Sequence, residues 1–191
     1  MKPISLTQKA HTLIKDRLTS GAIGIDATVG NGHDTLFMAH CVGGTGQVFG
    51  FDIQQAALNT TRQRFQDSRL ANCLTLFHAS HALMTEMIPE HWHGKISAIM
   101  FNLGYLPGGD KSVTTQTNST LIALSKAIQL LSPTGILTIL AYPGHQGGNI
   151  ETDRVNYWCS QLDQQQFTVD VFAATEYNSS SPVLFVIAKT G

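Results

Sequence analysis

Apolar and polar positions along the chain change between two periodicities. Short apolar runs rich in valine, isoleucine and phenylalanine predict seven β-strands, because runs of this length and composition are typical of buried strands. They cover residues 22–27, 47–53, 73–78, 96–103, 135–141, 167–173 and 183–188. Before the first strand, apolar residues recur at helical spacing and predict an amphipathic N-terminal helix over 5–18.

Helix-length segments separate most of the predicted strands. They carry mixed polar and apolar faces and cover residues 33–41, 54–67, 80–88, 117–131 and 152–162. Alternating strands and helices predict a mostly parallel sheet with helices on both faces. Only "ATEYNSSSP" separates the last two strands, and so short a connection predicts an antiparallel last strand. We therefore expect one α/β domain over residues 1–191.

A glycine-rich turn follows the first predicted strand. The stretch "IGIDATVGNGHDTLFMA" puts Asp26 at the strand end and Gly30 and Gly32 in the turn. Ligands of parallel sheets bind outside the carboxyl ends of the strands. Asp52 ends the second strand, where an acidic residue can accept hydrogen bonds from ribose hydroxyls. Together these features predict a ribose-bearing cofactor, either a nicotinamide nucleotide or S-adenosylmethionine.

The spacing of Asp26, Gly30 and Gly32 favours the second cofactor. This D-x-x-x-G-x-G pattern resembles the first motif of class I S-adenosylmethionine-dependent methyltransferases, which have a Rossmann-like fold with an antiparallel final strand pair. A dinucleotide fingerprint would place a third glycine where Thr35 stands, to let helix and strand pack over a pyrophosphate. The pattern therefore favours a methyltransferase over a dehydrogenase.

The fourth predicted strand ends in "NLGY", which starts at Asn102. It resembles the N-P-P-Y motif of amino methyltransferases, in which the asparagine oxygen and a backbone carbonyl orient an N–H group and the tyrosine packs against the acceptor. Here Leu103 and Gly104 replace both prolines. The alternative is that Asn102 caps the strand end and Tyr105 closes the core, since asparagine and glycine are common in turns.

Four motifs taken together resemble the bacterial rRNA methylase family, which contains the tRNA 5-(aminomethyl)-2-thiouridine methyltransferases. They are "DATVGNGHDT", "FDIQ", "FNLGYLPGGDKSVTT" and "AYPGHQGG", and the likeness covers nearly the whole chain. It implies S-adenosylmethionine as cofactor and a tRNA anticodon loop as partner. The implied reaction methylates the aminomethyl nitrogen of the wobble uridine. A homodimer, an rRNA or small-molecule N-methyltransferase and a non-enzymatic cofactor sensor stay open.

The resemblance also implies three sets of site residues. Cofactor binding is expected from Asp26, Gly30, Asn31, Gly32, His33, Asp34, Asp52, Gln54, Ser80, His81 and Asn102. Catalysis is expected from Asn102, Tyr105, Asp110 and His145, and substrate binding from Leu103, Gly104, Tyr105, Lys111 and Tyr142. The attacking amine must be neutral, and Tyr105, Asp110 and His145 stay open as proton acceptors. Helix capping is the alternative role for Asp34 and Ser80.

Composition and charge restrict the classes of binding partner, the state of the cysteines and the cellular location that we expect. The 191 residues carry a formal net charge of -1, which argues against broad electrostatic capture of nucleic acid but leaves room for a local basic patch. Cys41, Cys73 and Cys159 are widely spaced and predict reduced structural thiols, with no disulfide and no metal site. No apolar run approaches the roughly 20 residues of a membrane span and no leader pattern is present, so a cytoplasmic location is expected.

Overall fold

The computed structural model describes residues 4–66, 70–173 and 181–190. Within these ranges the strands are β1 (Ile23–Asp26), β2 (Gln47–Asp52), β3 (Leu74–His78), β4 (Ile96–Leu103), β5 (Leu131–Ala141), β6 (Phe167–Ala173) and β7 (Val183–Lys189). The α-helices are α1 (Leu6–Lys15), α2 (His33–Val42), α3 (Gln55–Phe65), α4 (Met84–Met87), α5 (Thr117–Leu130) and α6 (Gly148–Ser160). None of these helices is long and apolar enough to cross a membrane.

The strands form one sheet in the order β3-β2-β1-β4-β5-β7-β6. β1 to β5 pair in parallel, whereas β7 lies between β5 and β6 and is antiparallel to both. The prediction of a seven-stranded, mostly parallel sheet with an antiparallel last strand is therefore confirmed. Most of the connection from which it was made, residues 174–180, lies outside the described residues.

The helices cover both faces of this sheet, as predicted. Side chains of α1, α2 and α3, among them Ile14, Met38 and Phe65, pack with Met100 on one face. The other face packs α4, α5 and α6 against Phe101 and its neighbours. Successive side chains of a strand point to opposite faces, so adjacent β4 residues serve different layers. Burying each large apolar side chain contributes about 1.5–3 kcal/mol, which fixes the strand ends that carry polar residues.

Helix α1 begins at a well-formed cap. The Ser5 hydroxyl accepts a hydrogen bond from the Gln8 backbone N–H, and the Gln8 side-chain oxygen accepts one from the Ser5 backbone N–H. This reciprocal pair satisfies two N–H groups at the helix start. Ala10 and Ile14 lie one turn apart and are buried against the sheet. The cap and these two contacts fix the helix beside the start of α2.

Several predicted boundaries were wrong. α1 ends at Lys15, three residues before the predicted end, and β5 begins at Leu131, four residues before the predicted start. Residues 80–88 form a short 3₁₀ turn and the single turn α4, because Pro89 favours extended backbone at Ile88. α6 begins at Gly148, four residues before the predicted start, after Gly147 adopts a left-handed conformation. α3 ends at Phe65 and not at position 67, which lies outside the described residues.

The three cysteines are free thiols, as predicted. Cys73 and Cys159 are buried, whereas Cys41 is partly exposed. Burial raises the pKa of the Cys159 thiol to about 12. Because the thiolate is the reactive form, this cysteine is inert at neutral pH.

Candidate active site

The loops that follow β1 and β2 meet at Asp52. One carboxylate oxygen of Asp52 accepts a hydrogen bond from the Gly30 backbone N–H at 2.8 Å, and the other accepts one from the Gln54 N–H at 2.8 Å. Gly30 has φ 51°, a left-handed conformation that glycine adopts at little cost. A carboxylate has about four acceptor positions, so Asp52 can still accept bonds from a ligand.

A cavity of about 200 Å³ opens beside Asp52, with mostly apolar walls. Phe51 and Ile53 contribute to these walls. Six of the predicted cofactor residues line the cavity: Gly30, Asp52, Gln54, Ser80, His81 and Asn102. We call it the first cavity. Ser80 also caps the 3₁₀ turn by accepting a hydrogen bond from the Ala82 N–H, so the predicted capping role is present as well.

A second cavity, of about 570 Å³, adjoins the first. It brings together predicted residues from the two glycine-rich loops, the start of α2, the end of β4 and the position after β5: Gly30, Asn31, His33, Asp34, Asn102, Leu103, Gly104, Tyr105, Lys111 and Tyr142. Both cavities share Thr28, Gly30, Asn102, Gly104, Tyr105 and Pro107 as lining residues. They are therefore two parts of one cleft, and Asn102 stands where they join.

Two contacts hold Asn102. Its backbone N–H donates to the Thr28 hydroxyl at 2.7 Å, and its side-chain Nδ2 donates to Asp34 Oδ2 at 2.7 Å. Burial disfavours the charged form of Asp34, but hydrogen bonds from His11 and Asn102 outweigh it, so the pKa of Asp34 is lowered. An ionised carboxylate only accepts hydrogen bonds, so the Asn102 amide must turn its NH₂ group towards Asp34.

Asp26 lies beneath the first glycine loop and lines neither cavity. It is fully buried, accepting hydrogen bonds from the Thr28 N–H at 3.1 Å and the Thr35 hydroxyl at 2.6 Å. Gly32 also lies outside both cavities, with φ 75° at the start of α2. The structure thus places these two predicted cofactor residues in the support of the loop.

Asp26 is expected to make folding stability depend on pH. Burial, with the nearby charge of Asp34, raises the pKa of Asp26 from 3.8 to about 7. Between these values the folded chain holds a proton that the unfolded chain releases. The free energy of unfolding should therefore fall as pH rises through this window, by up to about 1.4 kcal/mol per pH unit. Urea unfolding of Asp26→Asn should show a flatter slope than the parent, whereas the exposed control Asp16→Asn should keep the slope.

The loop after β4 is tied to its surroundings by backbone and side-chain bonds. The Gly104 carbonyl accepts a hydrogen bond from the Thr115 N–H at 3.0 Å, and Tyr105 pairs with Thr114 in an isolated bridge. At the tip, the Asn31 side chain donates to the Pro107 carbonyl at 3.2 Å. The two glycine-rich loops therefore contact each other across the cleft.

A buried carboxylate that the sequence analysis missed anchors the end of this loop. Glu151, in the first turn of α6, is 2% exposed. It accepts hydrogen bonds from the hydroxyls of Thr115 and Thr120, both at 2.6 Å. Thr115 lines the first cavity, so Glu151 links α6 to the cavity wall. The sequence pattern did not indicate this role for Glu151, because the predicted helix began one residue after it.

Replacing Glu151 with alanine should lower the free energy of unfolding by about 2–3 kcal/mol, because two threonine hydroxyls lose their buried acceptor. Glu151→Gln retains one acceptor oxygen and should lose about half as much. Chemical denaturation measures both values, with the exposed Glu90→Ala as the control. A loss in Glu151→Ala no larger than in the control would contradict this anchoring role.

The predicted catalytic residues separate into two groups. Tyr105 lines both cavities, and its ring meets that of His145 edge-on at 6.1 Å between centroids. His145 lines neither cavity and lies behind Tyr105. Asp110 is in an exposed turn, where a hydrogen bond from the Ser112 backbone lowers its pKa, and it is not brought to either cavity. Asn102 and Tyr105 are thus the two members of this set at the cleft.

Two predicted substrate residues stand at the outer edge of the second cavity. Lys111 Nζ lies 5.5 Å from the Tyr105 ring centroid. Tyr142 is 40% exposed, and its backbone N–H donates to the Leu103 carbonyl at 3.2 Å. Burial of part of the Tyr142 side chain raises its pKa, so the phenol stays neutral. The edge therefore presents two partly exposed aromatic rings and one cation.

Comparisons with known proteins identify several relatives of the chain. A chloroplastic tRNA (mnm(5)s(2)U34)-methyltransferase of Arabidopsis thaliana is 38% identical over 164 residues, which are 82% of this chain. The chain spans only 59% of the length of that relative. A putative methyltransferase of Streptococcus mutans, solved in complex with SAH, superposes with a TM-score of 0.86 and 34% identity, covering 98% of this chain and 99% of that one.

The fold and family follow from two further matches. The crystal structure of a putative rRNA methylase of Clostridium thermocellum superposes with a TM-score of 0.93 and 37% identity, covering 99% of this chain and 100% of that one. The sheet is the Rossmann-like sheet of class I methyltransferases, as predicted. The family model described as Putative rRNA methylase matches residues 48–188. The chain therefore belongs to the putative rRNA methylase family.

Proposed function

We propose that this protein is an S-adenosylmethionine-dependent methyltransferase that methylates an amino nitrogen of tRNA. The proposed acceptor is the aminomethyl group of 5-aminomethyl-2-thiouridine at the wobble position, and the product is 5-methylaminomethyl-2-thiouridine. The observation that carries the proposal is the position of Asn102 where the two cavities join, with its Nδ2 already bound to Asp34. The Arabidopsis relative supports the choice of RNA.

The first cavity fits the adenosine end of this cofactor. Asp52 offers free acceptor positions for ribose hydroxyls. His81 donates from Nδ1 to the Ala27 carbonyl, and burial lowers its pKa, so Nε2 is an unprotonated acceptor. Within the described part of the chain, that buried Nε2 has no hydrogen-bond partner. An adenine amine would supply the missing donor. The Streptococcus mutans relative was solved in complex with SAH, which supports a cofactor of this class.

The second cavity fits a nucleoside that carries an amine. The cofactor supplies an electrophilic methyl group, and Asn102 Oδ1 would accept a hydrogen bond from the attacking nitrogen and so aim its lone pair. Orientation of this kind accounts for several kcal/mol of a reaction barrier. The exposed rings of Tyr105 and Tyr142 suit stacking with bases splayed out of an anticodon loop, and Lys111 suits a phosphate.

The amine must lose a proton before it attacks. Burial in the cleft lowers the pKa of an alkylammonium group and favours the neutral form. Tyr105 is the only one of the three predicted proton acceptors that lines a cavity in the described structure, whereas His145 and Asp110 do not. We propose that any direct proton transfer goes through the Tyr105 hydroxyl, which passes its own proton to solvent as it takes up the proton of the amine. Three further expectations remain predictions: that residues 1–191 form a single domain, that the protein is cytoplasmic, and that it forms a homodimer.

An assay on isolated RNA tests the function. The protein is incubated with labelled S-adenosylmethionine and tRNA from cells that lack it, and the digested nucleosides are identified. Label on 5-methylaminomethyl-2-thiouridine supports the proposal. The control is tRNA that already carries the methyl group, which should take up no label. Parallel reactions contain rRNA or a metabolite extract from the same cells, and label found there alone would instead favour the corresponding alternative substrate.

A further inference from the structure

His11, on α1, contacts the proposed catalytic cleft from outside it. Its Nε2 lies 2.7 Å from Asp34 Oδ1, and its ring stacks on Phe37 at 3.9 Å with an angle of 6° between the planes. His11 lines neither cavity, and nothing in the sequence pattern singles it out. The buried neighbours Ala10 and Ile14 hold this part of α1 against the sheet, so the imidazole approaches Asp34 from a fixed position.

Asp34 uses its two oxygens for two different partners. Oδ1 contacts His11 and Oδ2 accepts the hydrogen bond from Asn102 Nδ2. The Asp34 side chain is 15% exposed, so water competes little for either oxygen. Removing the His11 contact would leave the carboxylate free to rotate about its own side-chain torsion. A carboxylate rotated away from Asn102 would no longer accept the hydrogen bond from Nδ2, and the amide could then turn over.

We propose that His11 and Asp34 form a hydrogen-bonded chain that holds the Asn102 amide with Oδ1 turned towards the methyl-accepting nitrogen. This inference rests on the proposed function. His11 is a positioning residue: it acts on the reaction through Asp34 and Asn102 and touches neither substrate nor cofactor. The chain links α1 to α2 and α2 to the end of β4, so a helix outside the cleft controls the orientation of a group inside it.

The effect on kinetics follows from the group at the end of the hydrogen-bonded chain, which is the Asn102 amide. The Asn102 oxygen is needed to aim the nitrogen lone pair in the transition state, while the first cavity does not involve His11. Loss of the hydrogen-bonded chain from His11 to Asn102 should therefore lower kcat and leave cofactor affinity unchanged. A loss of about 10-fold in kcat is expected, less than for removal of Asn102 itself, because the amide still samples the productive orientation part of the time.

Two substitutions of His11 separate its hydrogen bond from its packing. His11→Phe keeps a ring on Phe37 but removes the nitrogen that contacts Asp34. His11→Gln removes the ring but keeps an N–H donor at a similar reach. We expect His11→Phe to lose about 10-fold in kcat and His11→Gln to stay within about threefold of the parent. Thr12→Ala, at the next position of α1 and exposed, is the matched control and should be unchanged.

A second measurement does not depend on methyl transfer. In ¹⁵N spectra the Asn102 side-chain NH₂ should show one proton shifted and protected from solvent exchange, and His11→Phe should remove this protection while His11→Gln keeps it. The proposed function can fail in the tRNA assay while this result stands. Equal amide protection in His11→Phe and the parent would overturn the positioning role. So would a kcat loss that followed the ring and appeared only in His11→Gln.

Discussion

Replacing Asn102 with alanine is expected to lower kcat for tRNA methylation by about 100-fold or more, with cofactor affinity within about threefold of the parent. In the proposed mechanism the amide oxygen accepts a hydrogen bond from the attacking nitrogen and so aims its lone pair, and alanine offers no such acceptor. The Asn102 backbone N–H still reaches the Thr28 hydroxyl, so the end of β4 keeps its position. Single-turnover kinetics measure the chemical step, and calorimetric titration measures cofactor binding.

The matched control for this substitution is Asn59→Ala on the exposed side of α3, which should behave as the parent. A further comparison is Asn102→Asp. A carboxylate at that place would face the ionised Asp34 and repel it, so we expect a loss at least as large as with alanine. Normal turnover in Asn102→Ala, with unchanged cofactor binding, would show that nitrogen is oriented by another group.

Asp52→Ala is expected to weaken S-adenosylmethionine binding by about 100-fold or more. Hydrogen bonds to a charged acceptor contribute about 1.5–3 kcal/mol each, and two ribose hydroxyls would lose theirs. The substitution also removes the acceptor for the Gly30 and Gln54 N–H groups, so the first glycine loop loses a support. Calorimetric titration measures the affinity directly.

Asp52→Asn tests how much of the loss of affinity comes from the ribose contacts and how much from the support of the first glycine loop. Asparagine keeps one oxygen as an acceptor, so it should fall between the parent and Asp52→Ala in affinity. Asp170→Ala, on the exposed edge strand β6, removes the same charge far from the cleft and serves as the control. If Asp52→Ala bound the cofactor within threefold of Asp170→Ala, Asp52 would not be the ribose ligand.

The sequence was sufficient for the sheet and for the edge at which its polar residues meet. Apolar runs of strand length mark central strands such as β1 and β4 because both faces of a central parallel strand are buried. The parallel order then brings the residues after Asp26, Asp52 and Asn102 to one side, and the Gly30–Asp52 contact is a direct consequence. Helix ends were less predictable, since α6 begins directly after Gly147, in a stretch that has the composition of a plain turn.

Contacts between side chains that are far apart in the sequence could not be predicted from the pattern of apolar and polar residues. His11 and Asp34 lie 23 positions apart, and their meeting depends on how two helices pack. Glu151 and Thr115 meet because α6 starts four residues earlier than its pattern indicates. Asp110 shows the reverse case: its place in a family-specific motif predicted chemistry, whereas the local turn directs its carboxylate to the Ser112 N–H.

The insertion of β7 between β5 and β6 has a consequence for biosynthesis. β6 leaves the ribosome before β7, yet in the described sheet its only hydrogen-bonded neighbour is β7. Until residues 183–189 emerge, β5 and β6 each present an unpaired strand edge, and such edges favour association with other chains. A nascent chain arrested after β6 and before residue 183 is therefore expected to associate with other chains, although the residues that line both cavities, the last of which is Tyr142, have already been synthesised.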